Sequence, residues 1–444
     1  TGWGRPIVSL AGLVRFSLTQ RMLMLLVVAL LIPAGWLAFV SIPIDAFPDI
    51  SPTQVKIIMK APGMTPEEVE SRITRPIEVE LLGVQRQTML RSIAKYALTD
   101  ITVDFEEGTD IYWARQQVAE RLTAVRDDLP EGVSGGLAPM STPLGEMYMF
   151  TVDSPELSII ERRYLLDWVI RPALRTVAGV ADVNALGGKV KTYSVSPRAD
   201  AMLALGVTTG DLSAALESNN QNDGAGRLKR GEEALLVRSE GALVNIASIE
   251  ETPVRNENGK LITIGMVADV TLGSLERYGA VTESGEGEVV EGLVVSLRGA
   301  NARDVIAGIE DKLDELSESL PDHVSISVFY NRSHLVNRAV STVSKALVEA
   351  VVLVLILLGL FLGNVRSALT VALILPLSAM VTFIAMRATG MSANLMSLGG
   401  LAIAIGLLVD AAVVVVENIV TKMSDTRVKA LPRLHVIYRA VKDV

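Results

Sequence analysis

Four stretches of the chain stay apolar for about 20 residues, the length that crosses about 30 Å of hydrocarbon as a helix. They are residues 22–42, 346–363, 367–386 and a run within 391–420. Pro33 and Pro376 fall inside the first and third, which membrane helices tolerate. The first run is as long as a full span and has no small-x-small cleavage site, so it reads as an uncleaved anchor. Arg5, Arg15 and Arg21 precede it and place the N-terminus in the cytoplasm. Four crossings return the chain there, to a tail carrying Lys422, Arg427, Lys429, Arg433, Arg439 and Lys442. Residues 43–335 then lie outside, and Arg387 is the one flanking charge on the unfavourable side.

Between the first and second runs the period changes. Residues 53–60 alternate, with Val55, Ile57 and Met59 on one face, which predicts a strand. Thr65, Pro66 and Glu68 follow as N-cap, first helical residue and capping-box acid, opening a helix to about Leu82. Residues 88–105 predict a hairpin or two strands. Residues 110–129 predict a helix ended by Pro130. The order β-α-β-β-α suits a split βαβ unit. A second such unit is expected from strands at 147–152, 183–195, 289–297 and 324–330, with helices at 157–177 and 302–319. An inserted segment at about 199–275 interrupts it, with a helix at 209–218, strands at 234–238 and 261–264, and a hairpin turn at 255–260.

Composition narrows the class. Half of the 444 residues are hydrophobic and 20% are charged, with a mean hydropathy of +0.39. That mixture fits membrane helices joined to a large soluble part. A net charge of −9 argues against nucleic acid, which needs a basic face. With no cysteine and only His323, His334 and His435, at no ligand-like spacing, thiolate and histidine-rich metal sites are not expected. There is no phosphate-binding loop and no nucleophile–base pair, so no enzyme and no cofactor is expected.

The fourth apolar run holds two acids, Asp410 and Glu417. Seven residues bring them to nearly the same helix face, about 10 Å apart along the axis. A carboxylate at bilayer depth is expensive and marks ion or proton pathways, because burial disfavours its charged form and suits it to loading and releasing a proton. A proton entering down the potential carries about 2.3 kcal/mol per 100 mV. The competing reading is a polar contact between helices. Gly399, Gly400 and Gly406 are expected to let helices approach closely. In the soluble part, Glu146, Met147 and Met149 are candidate cation contacts, the two methionines as a soft pair on one strand face or as core packing. Glu106, Glu107 and Asp110 form an acidic cluster in which Asp110 reads as a helix N-cap. Asp45 and Asp49 follow the first span as a solvated loop or as attractors of cations.

The sequence resembles the resistance-nodulation-division (RND) superfamily, in its heavy-metal efflux branch. The likeness rests on residues 41–50 (SIPIDAFPDI), on 91–93 (RSI) with 103–116 (VDFEEGTDIYWARQ), on 141–148 (STPLGEMY) and on 409–418 (VDAAVVVVEN). It covers the whole chain in order and matches the N-terminal portion of the inner-membrane pump, so the chain is expected to be a partial N-terminal half. The resemblance implies an α+β membrane protein with four transmembrane helices and a large extracytoplasmic region of ferredoxin-like βαβ subdomains with an inserted docking subdomain. The expected divisions are the cytoplasmic N-terminus and first membrane helix (1–43), a first porter subdomain (44–138), a second in two parts (139–198 and 276–335), the docking insert (199–275), membrane helices two to four (336–421) and a basic cytoplasmic tail (422–444).

It further implies proton-motive-force-driven efflux of heavy-metal cations, with Asp410 and Glu417 as proton relay. Met396 matches one of the methionines that flank the relay in copper/silver pumps, where the other position here is Leu408. Ala404 stands where some divalent-cation pumps carry another aspartate. Glu146, Met147, Met149 and Met396 are therefore the candidate metal contacts, with the metal as cargo of unassigned identity. A homotrimer, a periplasmic adaptor, an outer-membrane channel and a multi-pass inner-membrane location are implied as well. Two other readings stay open: an RND exporter of organic compounds, disfavoured by 5% aromatic content, and a non-transporting membrane-anchored partner of a translocation complex.

Overall fold

The computed structural model describes residues 10–444 except 46, 49, 143, 231–232, 240, 258–259, 278, 363–364 and 425–431. Arg5, Asp49, Arg427, Lys429 and the tip of the 255–260 turn thus lie outside the described residues. Helix α1 (Leu10–Thr19) leads into α2 (Arg21–Ser41), which carries the first apolar run.

Strand β1 (Gln54–Lys60) opens the first extramembrane unit. Val55, Ile57 and Met59 point inward, all 5% exposed or less, as their alternation predicts. Thr65 then caps a helix. Its Oγ1 accepts from the Glu68 N–H at 3.3 Å while the Glu68 carboxylate accepts from the Thr65 N–H at 2.9 Å. The helix runs as α3 (Pro66–Val69), a π turn (Glu70–Thr74) and α4 (Arg75–Leu81). β2 (Gln87–Lys95), β3 (Leu98–Phe105), α5 (Ile111–Val125) and β4 (Ser134–Leu137) complete the unit. Its antiparallel sheet has the order β2-β3-β1-β4. The inner sheet face packs on Ile73, Ile77, Leu81, Ala114 and Val118 in one core. β4 carries two glycines among four residues, and its pattern did not mark it as a strand.

The second unit begins with β5 (Glu146–Asp153), then α6 (Ile159–Leu165), a π turn (Leu166–Ile170) and α7 (Arg171–Leu174), then β6 (Val180–Gly187). Both π turns precede an Arg-Pro pair, Arg75-Pro76 and Arg171-Pro172. A proline has no N–H to give and crowds the carbonyl four residues back; one wider turn relieves both conflicts. The expected single strand at 183–195 is two strands. Gly187 and Gly188 both take positive φ, 66° and 67°, and turn the chain out of this sheet into β7 (Lys191–Pro197).

The excursion that follows holds α8 (Ala199–Leu205), α9 (Thr209–Asn219), β8 (Asp223–Arg230), β9 (Glu233–Ser239), α10 (Ile246–Glu250), β10 (Pro253–Glu257), β11 (Lys260–Thr263), α11 (Ile264–Val267) and β12 (Ala268–Ser274). β12 pairs with β7, so exit and return run side by side. The expected 255–260 hairpin is the β10–β11 pair. The chain re-enters the second unit through β13 (Val281–Glu283), β14 (Gly287–Ser296), α12 (Ala302–Ser317) and β15 (Ser325–Asn331). There β14 lies between β5 and β6, and β15 flanks β5. This repeats the strand order of the first unit around its own core of Phe150, Leu166, Ile170, Val294, Ile306 and Ile309. Gly292 is required where it sits: a Cβ there would stand 2.3 Å from Phe150 Cζ.

Four more helices follow: α13 (Arg332–Leu362), α14 (Val365–Ala388), α15 (Leu395–Ser424) and α16 (Arg433–Lys442). Among the described residues three helical segments are long and apolar enough to cross a membrane: Arg21–Ser41, Leu369–Ala388 and Leu395–Ser424. The second expected span falls on the C-terminal half of α13, which is one unbroken helix of 31 residues. α14 packs against α2, α13 and α15, with Phe39 and Phe383 rings 4.8 Å apart and Leu375, Ala379 and Leu398 in the shared core. Close approach of backbones occurs at Gly35, whose Cβ would meet Met380 at 2.3 Å. At Gly399, Gly400 and Gly406 a Cβ would meet no described atom within 4 Å, so the expected close packing is not seen there among the described residues.

Candidate proton and cation sites

Asp410 stands at the midpoint of α15. The inward side of this helix is Leu398, Leu401 and Ile405, all 8% exposed or less. Asp410 and Glu417 are on the outward side and exposed. Ile403, Leu407 and Val414 are exposed with them, giving the spacing 403, 407, 410, 414, 417. That is a heptad-like stripe along one face. Among the described residues neither carboxylate has a hydrogen bond or an ion pair. The expectation of a shared helix face is met. Among the described residues α13 and α14 pack around the Leu398, Leu401 and Ile405 side of α15, and Asp410 faces away from it.

The N-terminus of α15 is fixed by Asn394, whose Oδ1 accepts from the N–H groups of Met396 and Ser397, each at 3.0 Å. Met396 itself is 74% exposed. A groove of about 420 Å³ lies between α14 and α15, lined by Met386, Met391, Ser397, Gly400 and Ala404 among others. At the C-terminal end of α15 the Asn418 amide donates to the Ala440 carbonyl at 2.7 Å, and Lys422 pairs with Asp443. These contacts dock the basic α16 against α15.

Among the described residues the soluble candidates do not form one cluster: Glu146, Met147 and Met149 share β5 but differ in burial. Met147 is buried in the core of the second unit. Met149 is half-buried, opposite Leu293 of β14. A register shift in the β5–β14 ladder falls at Met147, between the Tyr148–Val294 and Glu146–Val295 pairs. Glu146 is exposed at the start of β5. It has a partner that sequence reading missed: burial first, and then the charge of Glu146, push the Glu291 carboxyl up from its ordinary value. The two acids are 145 positions apart, and only the pairing of β5 with β14 brings them close. Asp110 is an N-cap, accepting from the Trp113 N–H at 2.7 Å, and Glu106 and Glu107 are exposed. Among the described residues no three His, Asp or Glu side chains converge as a ligand set.

Asp45 is neither a free loop acid nor a lone attractor. Its Oδ1 accepts from Arg332 Nε at 2.8 Å. Arg332 is 4% exposed, and no local pattern pairs residues so far apart.

Comparison with known proteins agrees with this architecture. The family model described as AcrB/AcrD/AcrF matches residues 13–444. The cation efflux system protein CzcA of Alcaligenes sp. (strain CT14) is 40% identical over 97% of the chain and 42% of its own length. The cation efflux system protein CusA of Escherichia coli (strain K12) is 38% identical over 91% of the chain and 39% of its own length. A crystal structure of a heavy metal efflux pump superposes with a TM-score of 0.85 at 32% identity, covering 97% of the chain and 42% of that molecule. The chain thus spans about two fifths of the length of the relatives it matches. With the family model matching nearly end to end, and the relatives' likeness running through both extramembrane units and the helix that carries Asp410, the chain belongs to the AcrB/AcrD/AcrF family, in the heavy-metal efflux branch of the RND superfamily.

Proposed function

We propose that this chain is the N-terminal part of a proton-driven pump that exports heavy-metal cations across the cell envelope. The observation that carries the reading is an acid at the midpoint of a membrane-length helix, within the stretch 409–418 that resembles the relay motif of the branch. A charged side chain turned toward lipid at mid-bilayer is strongly disfavoured. The stripe through Asp410 and Glu417 is therefore the face that the rest of a longer pump covers. Once covered, Asp410 is the group that takes up a proton from one side and releases it to the other, and Glu417 hands protons on near the cytoplasmic end of α15. α13 supplies the fourth crossing in this reading, with the N- and C-terminal basic segments in the cytoplasm.

The two extramembrane units are ferredoxin-like porter subdomains, and the excursion from β7 to β12 is the docking subdomain. Cargo would be held in the extramembrane part, where Glu146, Glu291 and Met149 offer oxygen and sulfur donors. The buried Met147 and the exposed Met396 are weaker candidates on this geometry. The implied assembly is a homotrimer in the inner membrane with a periplasmic adaptor and an outer-membrane channel. Relatives in the matched set are named for cobalt, zinc and cadmium and for nickel, which sets the ions to test.

The test is growth of cells stripped of their own metal exporters and given the full-length gene. Wild type is expected to raise tolerance to at least one of zinc, cobalt, nickel, cadmium, copper and silver, and Asp410→Asn to abolish the gain. Unchanged tolerance to all six with wild type rejects metal export.

A further inference from the structure

Arg332 is the first residue of α13, directly after β15. It sits where four separate segments meet. Its Nε and Nη2 both stand 2.8 Å from Asp45 Oδ1, in the linker from α2 to β1. Its Nη1 donates to the Leu144 carbonyl, in the linker that joins the two extramembrane units. The Asp45 linker is itself zipped to the α14–α15 loop: the Ala393 N–H donates to the Pro43 carbonyl at 3.0 Å, and the Asp45 N–H to the Ala393 carbonyl at 3.1 Å. Ala393 precedes Asn394, the residue that fixes the N-terminus of α15. One guanidinium thus ties the helix carrying Asp410, the ends of two other membrane helices, and the hinge between the extramembrane units.

The joint is buried yet not closed. The Arg332 side chain is 5% exposed and the Asp45 side chain 26%. Nη2 meets the same Oδ1 as an ion-pair contact without hydrogen-bond geometry, so part of the donor capacity of this buried guanidinium is unmet. Beside it lies a cavity of about 290 Å³ lined by Asp45, Leu144, Gly145, Met147, Arg298 and Ser392. Arg298 closes the far side, donating to the Ser51 carbonyl at 2.7 Å. A joint with an unsatisfied donor and open space beside it has a second arrangement available, and packed elements switch between discrete arrangements rather than bend.

We propose that Arg332 is a positioning residue that transmits movement of α15 to the hinge at Leu144, through its bond to Asp45. This rests on the proton-driven reading above. When α15 shifts on protonation of Asp410, Ala393 moves the 43–45 linker, Asp45 carries Arg332, and Arg332 moves the inter-unit linker. Removing the anion from the joint is therefore expected to uncouple transport from metal binding.

The experiment uses the full-length pump in proteoliposomes with an imposed pH gradient. Wild type is screened with zinc, cobalt, nickel, cadmium, copper(I) and silver(I), and the ion carried fastest is used throughout. Asp45→Asn keeps the side-chain volume, and Arg332→Lys keeps the charge but not the fork. Folded yield and metal binding at equilibrium are expected to stay within about twofold of wild type in Asp45→Asn, while proton-driven transport per folded molecule falls about tenfold or more. Arg332→Lys is expected to fall in the same direction with binding retained. Unchanged transport in Asp45→Asn overturns the proposal. So does loss of binding and yield in parallel with transport, which marks a purely structural pair. Asp410→Asn runs beside them. If it transports as wild type does, or if wild type moves none of the six ions, the pump reading fails first and the joint has nothing to couple.

Discussion

Glu291 is a residue whose chemistry depends on burial first and then on a neighbour that the sequence hides. Burial and the charge of Glu146 raise its pKa above 4.5, so the folded chain holds that proton to higher pH than the unfolded chain does. The stability linked to the protonated form is full below about pH 4.5 and is lost as pH rises through the folded value. At neutral pH the charged Glu291 is a burden, and Glu291→Gln is expected to raise the melting temperature of the purified protein. The gain should shrink as the pH is brought down toward 4.5. Thermal unfolding at both pH values checks this, and an equal effect at both would contradict it. The same limit of sequence reading applies to Asp45. Its role as loop acid or cation attractor was argued from local context, but Arg332 is 287 positions away and no local pattern points to it. Asp410 was legible because its environment is written beside it, as an acid among some twenty apolar neighbours.

Elements were read well where local chemistry decides them. The capping box of Thr65 and Glu68, the alternation of β1 and the N-cap Asp110 all act within four residues, and each stands where its pattern places it. Asp110→Ala is expected to cost about 1 kcal/mol, because the Trp113 N–H loses its acceptor at the start of α5; chemical unfolding reads this directly, and no change would show that water replaces the cap without loss. Elements were misread where the deciding fact is long-range. The 183–195 segment has strand-forming residues throughout, yet Gly187 and Gly188 break it, and pairing with β12 claims the second half. β4 exists because β1 offers it an edge, not because its own residues favour a strand. The π turns were missed although each is announced by an Arg-Pro pair inside a helical pattern. The recurrence of that pair at the same place in both units is a mark of internal repetition beyond the shared order of strands and helices.

At the scale of the whole molecule, the two repeated units and the helix bundle meet at the Arg332 joint, and the bundle presents a stripe that no described residue covers. Ile403, Leu407, Asp410, Val414 and Glu417 form a surface in which apolar residues alternate with acids along one face of α15. In water such a face would need no partner, but in a bilayer its acids do. In the function proposed above, proton loading at Asp410, movement of α15 and release of cargo from the extramembrane units form one chain of cause that begins at that carboxyl. The most direct measurement is simultaneous recording of proton entry and metal exit in vesicles that carry the full-length protein, with wild type and Asp410→Asn compared at equal folded amounts. Metal-dependent proton flux in wild type, and loss of both fluxes in Asp410→Asn with metal binding retained, is the predicted result. Proton flux in Asp410→Asn equal to that of wild type would contradict the account at its centre.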